Sequence, residues 1–289
     1  MTGGAGAGTT ALMTTTIRPT EPLQQGADGA KSRTYDVCVN SRRVGRIAIA
    51  ADTSLGHAVG RIDELWIEEA DRGRGRGTVA ALAAEEVLRG WGCGQVRLSV
   101  GADAEAALRM AAALGYQERS RNMVKQLPDT APELPAGTAG RAMSADEYEQ
   151  WRREAVESYA RSRIEEGMPA ERALAWSEGE HRALLPDGAA TAGMWLMVLE
   201  DRGSVVGTLW VARARPPAEG AYVYDVLVAE EHRGRGHGRS LLLLAERVAL
   251  ADGQDIVGLH VFAGNTPARR LYDSLGYRTV RHNQYKELL

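Results

Sequence analysis

The chain has 289 residues, enough for two domains, and its 44% hydrophobic content can fill two cores. A formal net charge of −3 gives no push towards nucleic acid, and none is expected as a partner. Cys38 and Cys93 read as reduced thiols, no apolar run is long enough to span a membrane, and no metal-ligand spacing is present, so a cytoplasmic, metal-free protein is expected.

Residues 1–33 are rich in Gly, Ala and Thr and lack a cationic start followed by an apolar block. They predict a disordered arm rather than a signal peptide. A first domain is expected over residues 34–127, opening with strands Tyr35–Val39 and Val44–Ala50 around Asn40-Ser-Arg-Arg43. An apolar strand Ile62–Ile67 then leads through Arg72-Gly-Arg-Gly-Arg-Gly77 into an apolar helix Val79–Leu88. The Pro/Gly/Ala stretch 128–140 predicts a linker.

The second domain, 141–289, opens with a helix over about 145–166, where Ser144 and Glu147 form a capping box. Tyr148, Trp151, Ala155 and Tyr159 make one face of it apolar. A second helix follows Pro169, from about Ala170 to Leu185. Met194–Leu199 and Val205–Ala212 predict a hairpin turning at Asp201-Arg-Gly203. Next come a strand Tyr222–Val228, the loop Arg233-Gly-Arg-Gly-His-Gly238 and a helix Leu241–Leu250.

The two glycine loops betray a duplication. The offsets 233−72, 238−77 and 277−116 all equal 161, and residues 60–116 match residues 221–277 without a gap at 20 of 57 positions. A glycine-rich turn that opens a helix presents backbone N–H groups at the positive end of the helix dipole, which suits a phosphate or pyrophosphate. Glycine allows close backbone approach, and the interleaved arginines add charge. Neither the Gly-Lys-Ser/Thr of a Walker loop nor the Gly-x-Gly-x-x-Gly of a dinucleotide fold is present; the spacing is Arg-x-x-Gly-x-Gly.

That spacing after a strand resembles the acyl-CoA loop of the GNAT acyltransferase superfamily. The run from Leu259 through Asn265, Leu271, Tyr272 and Gly276-Tyr277 resembles the family's following strand and helix. The resemblance implies an α/β (α+β) fold, a mixed, mostly antiparallel sheet flanked by helices, present as two tandem GNAT domains. It implies an acetyl-CoA-dependent N-acetyltransferase acting on a small-molecule amine acceptor. Cofactor contacts are then expected at Arg233, Gly234, Arg235, Gly236, His237, Gly238 and Arg239, at the strand end Val226-Leu227-Val228 whose amides polarise the acyl carbonyl, and at Asn265 and Tyr272. By the same match Tyr272 is the catalytic acid. A phenol with a pKa of about 10 stays protonated where a thiol near 8.5 is leaving. Thr266 is expected to cap its helix.

Domain one keeps the loop, with Arg72, Gly75 and Gly77 as a second cofactor site or an inherited turn. It carries Ala111 where 272−161 places the tyrosine equivalent, and Ala104 where 265−161 places the asparagine equivalent. It also lacks the two helices that in this family wall the acceptor site, so acceptor and chemistry are expected in the second domain. Ten Asp/Glu against five Arg over residues 144–180 hint at a cationic acceptor, and solvated helix faces would give the same excess. Asp225 reads equally as a base or as a structural acceptor, and His260 as a relay or a solvent-facing residue. Trp66, Trp195 and Trp210 read as core or pocket wall. Other readings are a non-catalytic acyl-CoA sensor or scaffold, a protein-modifying acetyltransferase and a mycothiol synthase-like enzyme. Monomer and homodimer are both compatible with the sequence.

Overall fold

The computed structural model describes residues 14–53, 58–165, 167–213 and 220–288, which fall into two compact units. Unit 1 runs through Leu98 and takes in Arg109–Gly115 and the last residues from Lys286; unit 2 holds Ser99–Leu108 and Tyr116–Tyr285.

In unit 1, strands β1 (Thr15–Pro19), β3 (Lys31–Val39), β4 (Arg42–Asp52) and β5 (Ala58–Ile67) pair antiparallel in that order, with a short β2 (Gln24–Gln25) also on β3. The β3–β4 turn needs only Asn40 and Ser41, both in the left-handed region at φ 47° and 72°. The arm expected over residues 1–33 is corrected here. From Thr15 it forms β1, because Thr15, Thr16 and Ile17 are β-branched and their backbone finds partners along β3 from Val37 to Val39. Residues 1–13 lie outside the described residues. Helix α1 (Arg76–Gly90) packs against β4 and β5, and β5 then runs parallel to β6 (Cys93–Gly101) as far as the pair Ile62–Leu98. Helix α2 (Glu105–Ala113) buries Ala111. Trp66, expected as core or pocket wall, is 42% exposed.

The longer stretch of unit 2 begins with a strand that the sequence assigns to the first repeat. This strand, β7 (Gln117–Gln126), is followed by β8 (Thr138–Ala142), α3 (Ala145–Glu165), α4 (Ala170–Leu184), β9 (Met194–Asp201), β10 (Ser204–Arg213), β11 (Ala221–Val228), α5 (His237–Ala251), β12 (Ile256–Phe262), α6 (Thr266–Ser274) and β13 (Arg278–Glu287). The sheet order is β13-β7-β12-β11-β10-β9-β8, antiparallel except for β11 with β12. The capping box is present: Glu147 N–H donates to Ser144 Oγ at 3.3 Å and Ser144 N–H to Glu147 Oε2 at 2.7 Å. Residues of the expected linker lie on this unit, since Leu134 packs against its core and Arg247 donates to the Pro132 carbonyl.

The core of unit 2 gathers Met123 of β7 with Leu199, Leu209, Leu241, Leu242 and Leu259. Within it, Glu246 on α5 is buried and accepts from Lys125 Nζ of β7 at 2.7 Å. Unit 1 repeats the arrangement: Lys286 Nζ donates to Glu85 Oε2 at 2.6 Å. Both partners are related by the repeat, since 246−85 and 286−125 equal 161. Each helix glutamate is therefore met by a lysine from the other repeat's last strand.

Removing one partner of a buried pair leaves the other charge uncompensated. Lys125→Met is therefore expected to destabilise unit 2 by about 3–5 kcal/mol. Adding Glu246→Gln should recover part of that loss in a double-mutant cycle read by urea unfolding; a single mutant as stable as the wild type would refute it.

Candidate active site

Three local features of unit 2 bear on a candidate site. The first is the turn into α5. Gly234 and Gly236 adopt φ of 77° and 88° with open space above both, and α5 starts at His237 without a side-chain cap. Among the described residues the amides of 234–238 take no backbone acceptor. They form a concave row of donors at a helix N-terminus, which suits an anion. Arg235 and Arg239 are exposed, Arg239 donating to Ser274 Oγ at 2.7 Å, while Arg233 Nε donates to the Val228 carbonyl at 3.3 Å and braces the loop. Gly238 sits in the first turn, where a Cβ would meet Leu271 at 3.2 Å.

Unit 1 carries the same turn, with Gly73 and Gly75 at φ 70° and 72°, and Arg72 Nε donating to Ile67 O. Beneath it the chemistry differs. Arg76 and Arg42 both pair with the buried Asp71. The equivalents in unit 2, at 71+161 and 76+161, are His232 and His237, with ring centroids 6.2 Å apart.

The second feature is a parting of strands. β11 and β12 pair at Ala221–Val257, Tyr222–Gly258 and Val223–Leu259 and no further, although β11 runs to Val228 and β12 to Phe262. β12 remains a strand because β7 pairs along its other edge from Ile256 to Phe262. The predicted strand end Val226-Leu227-Val228 lies beyond this parting, with Val226 and Val228 packed against the core and Leu227 45% exposed.

The third feature is a β-bulge. Trp210 lies opposite Asp225 and Val211 opposite Val223, so Tyr224 is an extra residue on β11. Alternation is reset there, which turns Tyr222 and Tyr224 before the bulge, and Asp225 and Leu227 after it, toward one cavity of ≈ 860 Å³. α3 and α4 supply Trp151, Tyr159 and His181, and the parted β12 supplies His260 and Phe262. Strand alternation alone would have sent Asp225 to the other face, which is why sequence patterning missed the pairing of Tyr224 with Asp225. Arg119, from β7 of the first repeat, also lines the cavity. Its guanidinium lies over the Phe262 ring at 5.6 Å, and no local signal placed it there.

Asp225 accepts from Trp151 Nε1 at 3.3 Å, so the structural acceptor role and the cavity position coexist. Burial pushes its carboxyl above the usual carboxylate range, against the hydrogen bonds from Trp151 and the Val226 backbone and the influence of His181. Trp210, one of the expected pocket or core tryptophans, stacks on Tyr224 at 4.7 Å and meets Trp151 edge-on at 5.4 Å. Tyr272 is buried in the middle of α6, 6% exposed, and does not line the cavity. Its phenol is pushed above its ordinary pKa by burial and then by the negative charge of Asp225, so it holds its proton at neutral pH. Asn265 caps α6, its Oδ1 accepting from Ala268 N–H at 3.2 Å; the cap is one residue earlier than the predicted Thr266. The Asn side chain reaches the third amide, while Thr266 already belongs to the helix.

The profile described as "Acetyltransferase (GNAT) family" matches residues 12–116 and again 148–277. The chain belongs to the GNAT acetyltransferase family. It is 30% identical over 141 residues to an uncharacterized N-acetyltransferase, YycN, of Bacillus subtilis, covering 47% of this chain and 89% of that protein. It is 35% identical over 224 residues to a mycothiol acetyltransferase of Thermobispora bispora, covering 74% of this chain and 71% of that protein. A GCN5-related N-acetyltransferase structure from Sphaerobacter thermophilus shares the fold with a TM-score of 0.56 at 23% identity, over 88% of this chain and 80% of that one. The double match makes this a GNAT protein with two family segments, and its relatives are acetyltransferases. Among the described residues no helix is long and apolar enough to cross a membrane.

The Trp151–Asp225 contact predicts a measurable titration. Trp151→Phe removes a hydrogen bond that favours the carboxylate, so the Asp225 pKa is expected to rise further above its ordinary value. Carbon-detected NMR titration of the Asp225 carboxyl in both proteins checks it, and an unchanged pKa would show that the contact does not form in solution.

Proposed function

We propose that this chain is an acetyl-CoA-dependent N-acetyltransferase whose chemistry takes place in unit 2, on a small-molecule amine. One observation carries the reading. The residues that line the cavity from β11 and β12 include those beyond their parting, Tyr224, Asp225, Leu227, His260 and Phe262. The space between the strands thus opens onto a cavity walled by the two helices that unit 1 lacks.

In this reading the pyrophosphate of acetyl-CoA lies on the amides of Arg233–Arg239, and backbone N–H groups of the strand end Val226–Val228 hold the thioester carbonyl. The amine nitrogen, deprotonated, attacks the carbonyl carbon. The C–N bond forms, the C–S bond breaks, and the thiolate takes a proton from the Tyr272 hydroxyl, which recovers one from water as the new amide loses its extra proton. Tyr272 suits this role because it is held protonated at neutral pH and so has a proton to share with the departing sulfur. Asn265 supports the arrangement by capping α6, which carries Tyr272. Ala111 occupies the equivalent place in unit 1 and offers no proton. The retained turn of unit 1 at Arg72, Gly75 and Gly77 has the shape of a second cofactor loop without the chemistry. The similarity to a mycothiol acetyltransferase over 74% of the chain favours, as a second reading, the acceptor of those relatives.

Two outcomes follow for the proposed chemistry. Gly236→Val forces a branched side chain into a left-handed position, at a cost of about 1–2 kcal/mol, and fills the space above the amides. With the unit 1 loop disabled by Gly75→Val, calorimetry should show acetyl-CoA binding lost; unchanged affinity would remove the loop from the site. Tyr272→Phe should lower turnover about 10²–10⁴-fold with little change in the Michaelis constant for acetyl-CoA, because the ring still packs while the proton is gone. Wild-type turnover across the pH range would end its assignment as general acid.

A further inference from the structure

The unit 2 cavity has a composition that its walls do not need for folding. Tyr159, Tyr224 and Phe262 line it while remaining 39%, 44% and 49% exposed, and Phe262 is the only phenylalanine of the chain. Exposed rings clustered in a concavity mark a surface that gains by being covered. Tyr224 is held flat against Trp210, 4.7 Å between centroids and 21° between planes, with Tyr222 set edge-on to it at 5.1 Å and 73°. The arrangement is rigid, because Trp210 is buried and braced edge-on by Trp151.

One carboxylate stands beside these rings. Asp225 follows Tyr224 directly, and the bulge turns both into the cavity. It is half-buried, whereas the other cavity acids, Glu154, Glu157 and Glu180, are exposed. A carboxylate offers about four acceptor positions. Trp151 and the Val226 backbone use two of them, which leaves room for a ligand donor. A cation between a carboxylate and aromatic faces is stabilised by both.

The positive charges of the wall limit where a ligand cation can sit. The Arg163 guanidinium lies over Tyr159 at 5.1 Å and over Trp176 at 4.5 Å, and Arg119 lies over Phe262 at 5.6 Å. Those ring faces already hold a cation and are closed to a ligand ammonium group. The faces of Tyr222 and Tyr224 beside Asp225 carry no such guanidinium among the cation–ring contacts of the described residues.

We propose that the acceptor bound here is an arylalkylamine, its ammonium group on Asp225 and its ring against Tyr222 and Tyr224. This rests on the reading above that the cavity receives the acceptor amine. Asp225 and Tyr224 are then the residues that determine specificity: the first selects the amine over a neutral group of the same shape, and the second selects a flat ring over an alkyl chain. The bulge joins the two selections, since only a residue inserted into β11 places consecutive side chains on one wall.

The test uses the full chain and three probes, 2-phenylethylamine, 2-phenylethanol and n-propylamine, with binding read by calorimetry and by the fluorescence of the wall tryptophans. The amine with the ring is expected to bind about ten- to a hundredfold more tightly than either of the others. Asp225→Asn should abolish the preference over the alcohol, and Tyr224→Leu the preference over propylamine. Equal binding of the three probes by the wild type, or full preference retained in both variants, would overturn the proposal. If Asp225→Asn does not fold by circular dichroism, Asp225→Glu and the wild-type probe ranking decide in its place, a misplaced carboxylate being expected to weaken the amine and spare the alcohol. Mass spectrometry of the products separates the two readings. Asp225-dependent binding of 2-phenylethylamine without acetylation of any amine would sink the proposed activity and leave this inference standing. Acetylation of other amines, or of the acceptor used by mycothiol acetyltransferases, without binding of 2-phenylethylamine would do the reverse.

Discussion

The site of unit 2 depends on β7. β12 can leave β11 after three paired positions because β7 takes up its other edge along the whole length from Ile256 to Phe262. A strand without that partner would have neither edge satisfied beyond Leu259, and the parting would close or the strand would fray. The ion pair between Lys125 of β7 and the buried Glu246 of α5 fixes the register of this pairing. A slip of one residue would turn Lys125 to the opposite face and leave Glu246 uncompensated. Buried pairs of this kind add little net stability, but they penalise every misplacement heavily.

β7 belongs by sequence to the first repeat, and the last residues of β13, with Lys286, belong to unit 1. The two repeats are therefore not separable by cutting at the linker. A fragment that begins at residue 128 keeps α3, α4, the second glycine loop and Tyr272, yet lacks Met123 in its core, Arg119 in its cavity and Lys125 for Glu246. Duplication would ordinarily free one copy to diverge. Here each unit takes a lysine from the other repeat's final strand, Lys125 in unit 2 and Lys286 in unit 1.

What the copies kept and what they lost divides between backbone and side chains. Both have left-handed glycines in the loop, both have a bulge at the same place, with Asp63 the extra residue in unit 1 and Tyr224 in unit 2, and both end the parallel pairing at equivalent positions, Ile62–Leu98 and Val223–Leu259. These are properties of main-chain geometry, which a repeat at a constant offset of 161 preserves. The side chains on that frame differ: Ala111 against Tyr272, Asp63 and Glu64 against Tyr224 and Asp225, and the Asp71–Arg76 pair against His232 and His237. The backbone thus carries the fold in both copies, while the side chains set on it diverge.

Local rules were enough for much of this protein. Glycine spacing located both turns, the Ser144–Glu147 box located the start of α3, and the offset of 161 revealed the repeat and the missing tyrosine, because each of these depends on residues close in the chain. The sequence by itself thus determined the family, many of the elements and the contrast of Ala111 with Tyr272. It did not reveal that residues 15–19 form a strand, since a short polar segment becomes β1 only when β3 offers its edge. Nor did it reveal which strand completes which sheet: the pairing of β7 with β12 and β13 joins residues more than a hundred positions apart, and strand alternation says nothing about partners. The meeting of Tyr224 and Asp225 on one wall was likewise decided by the tertiary structure. It depends on a register shift opposite Trp210, and a bulge arises from how two strands fit together, so neither strand's own sequence contains it.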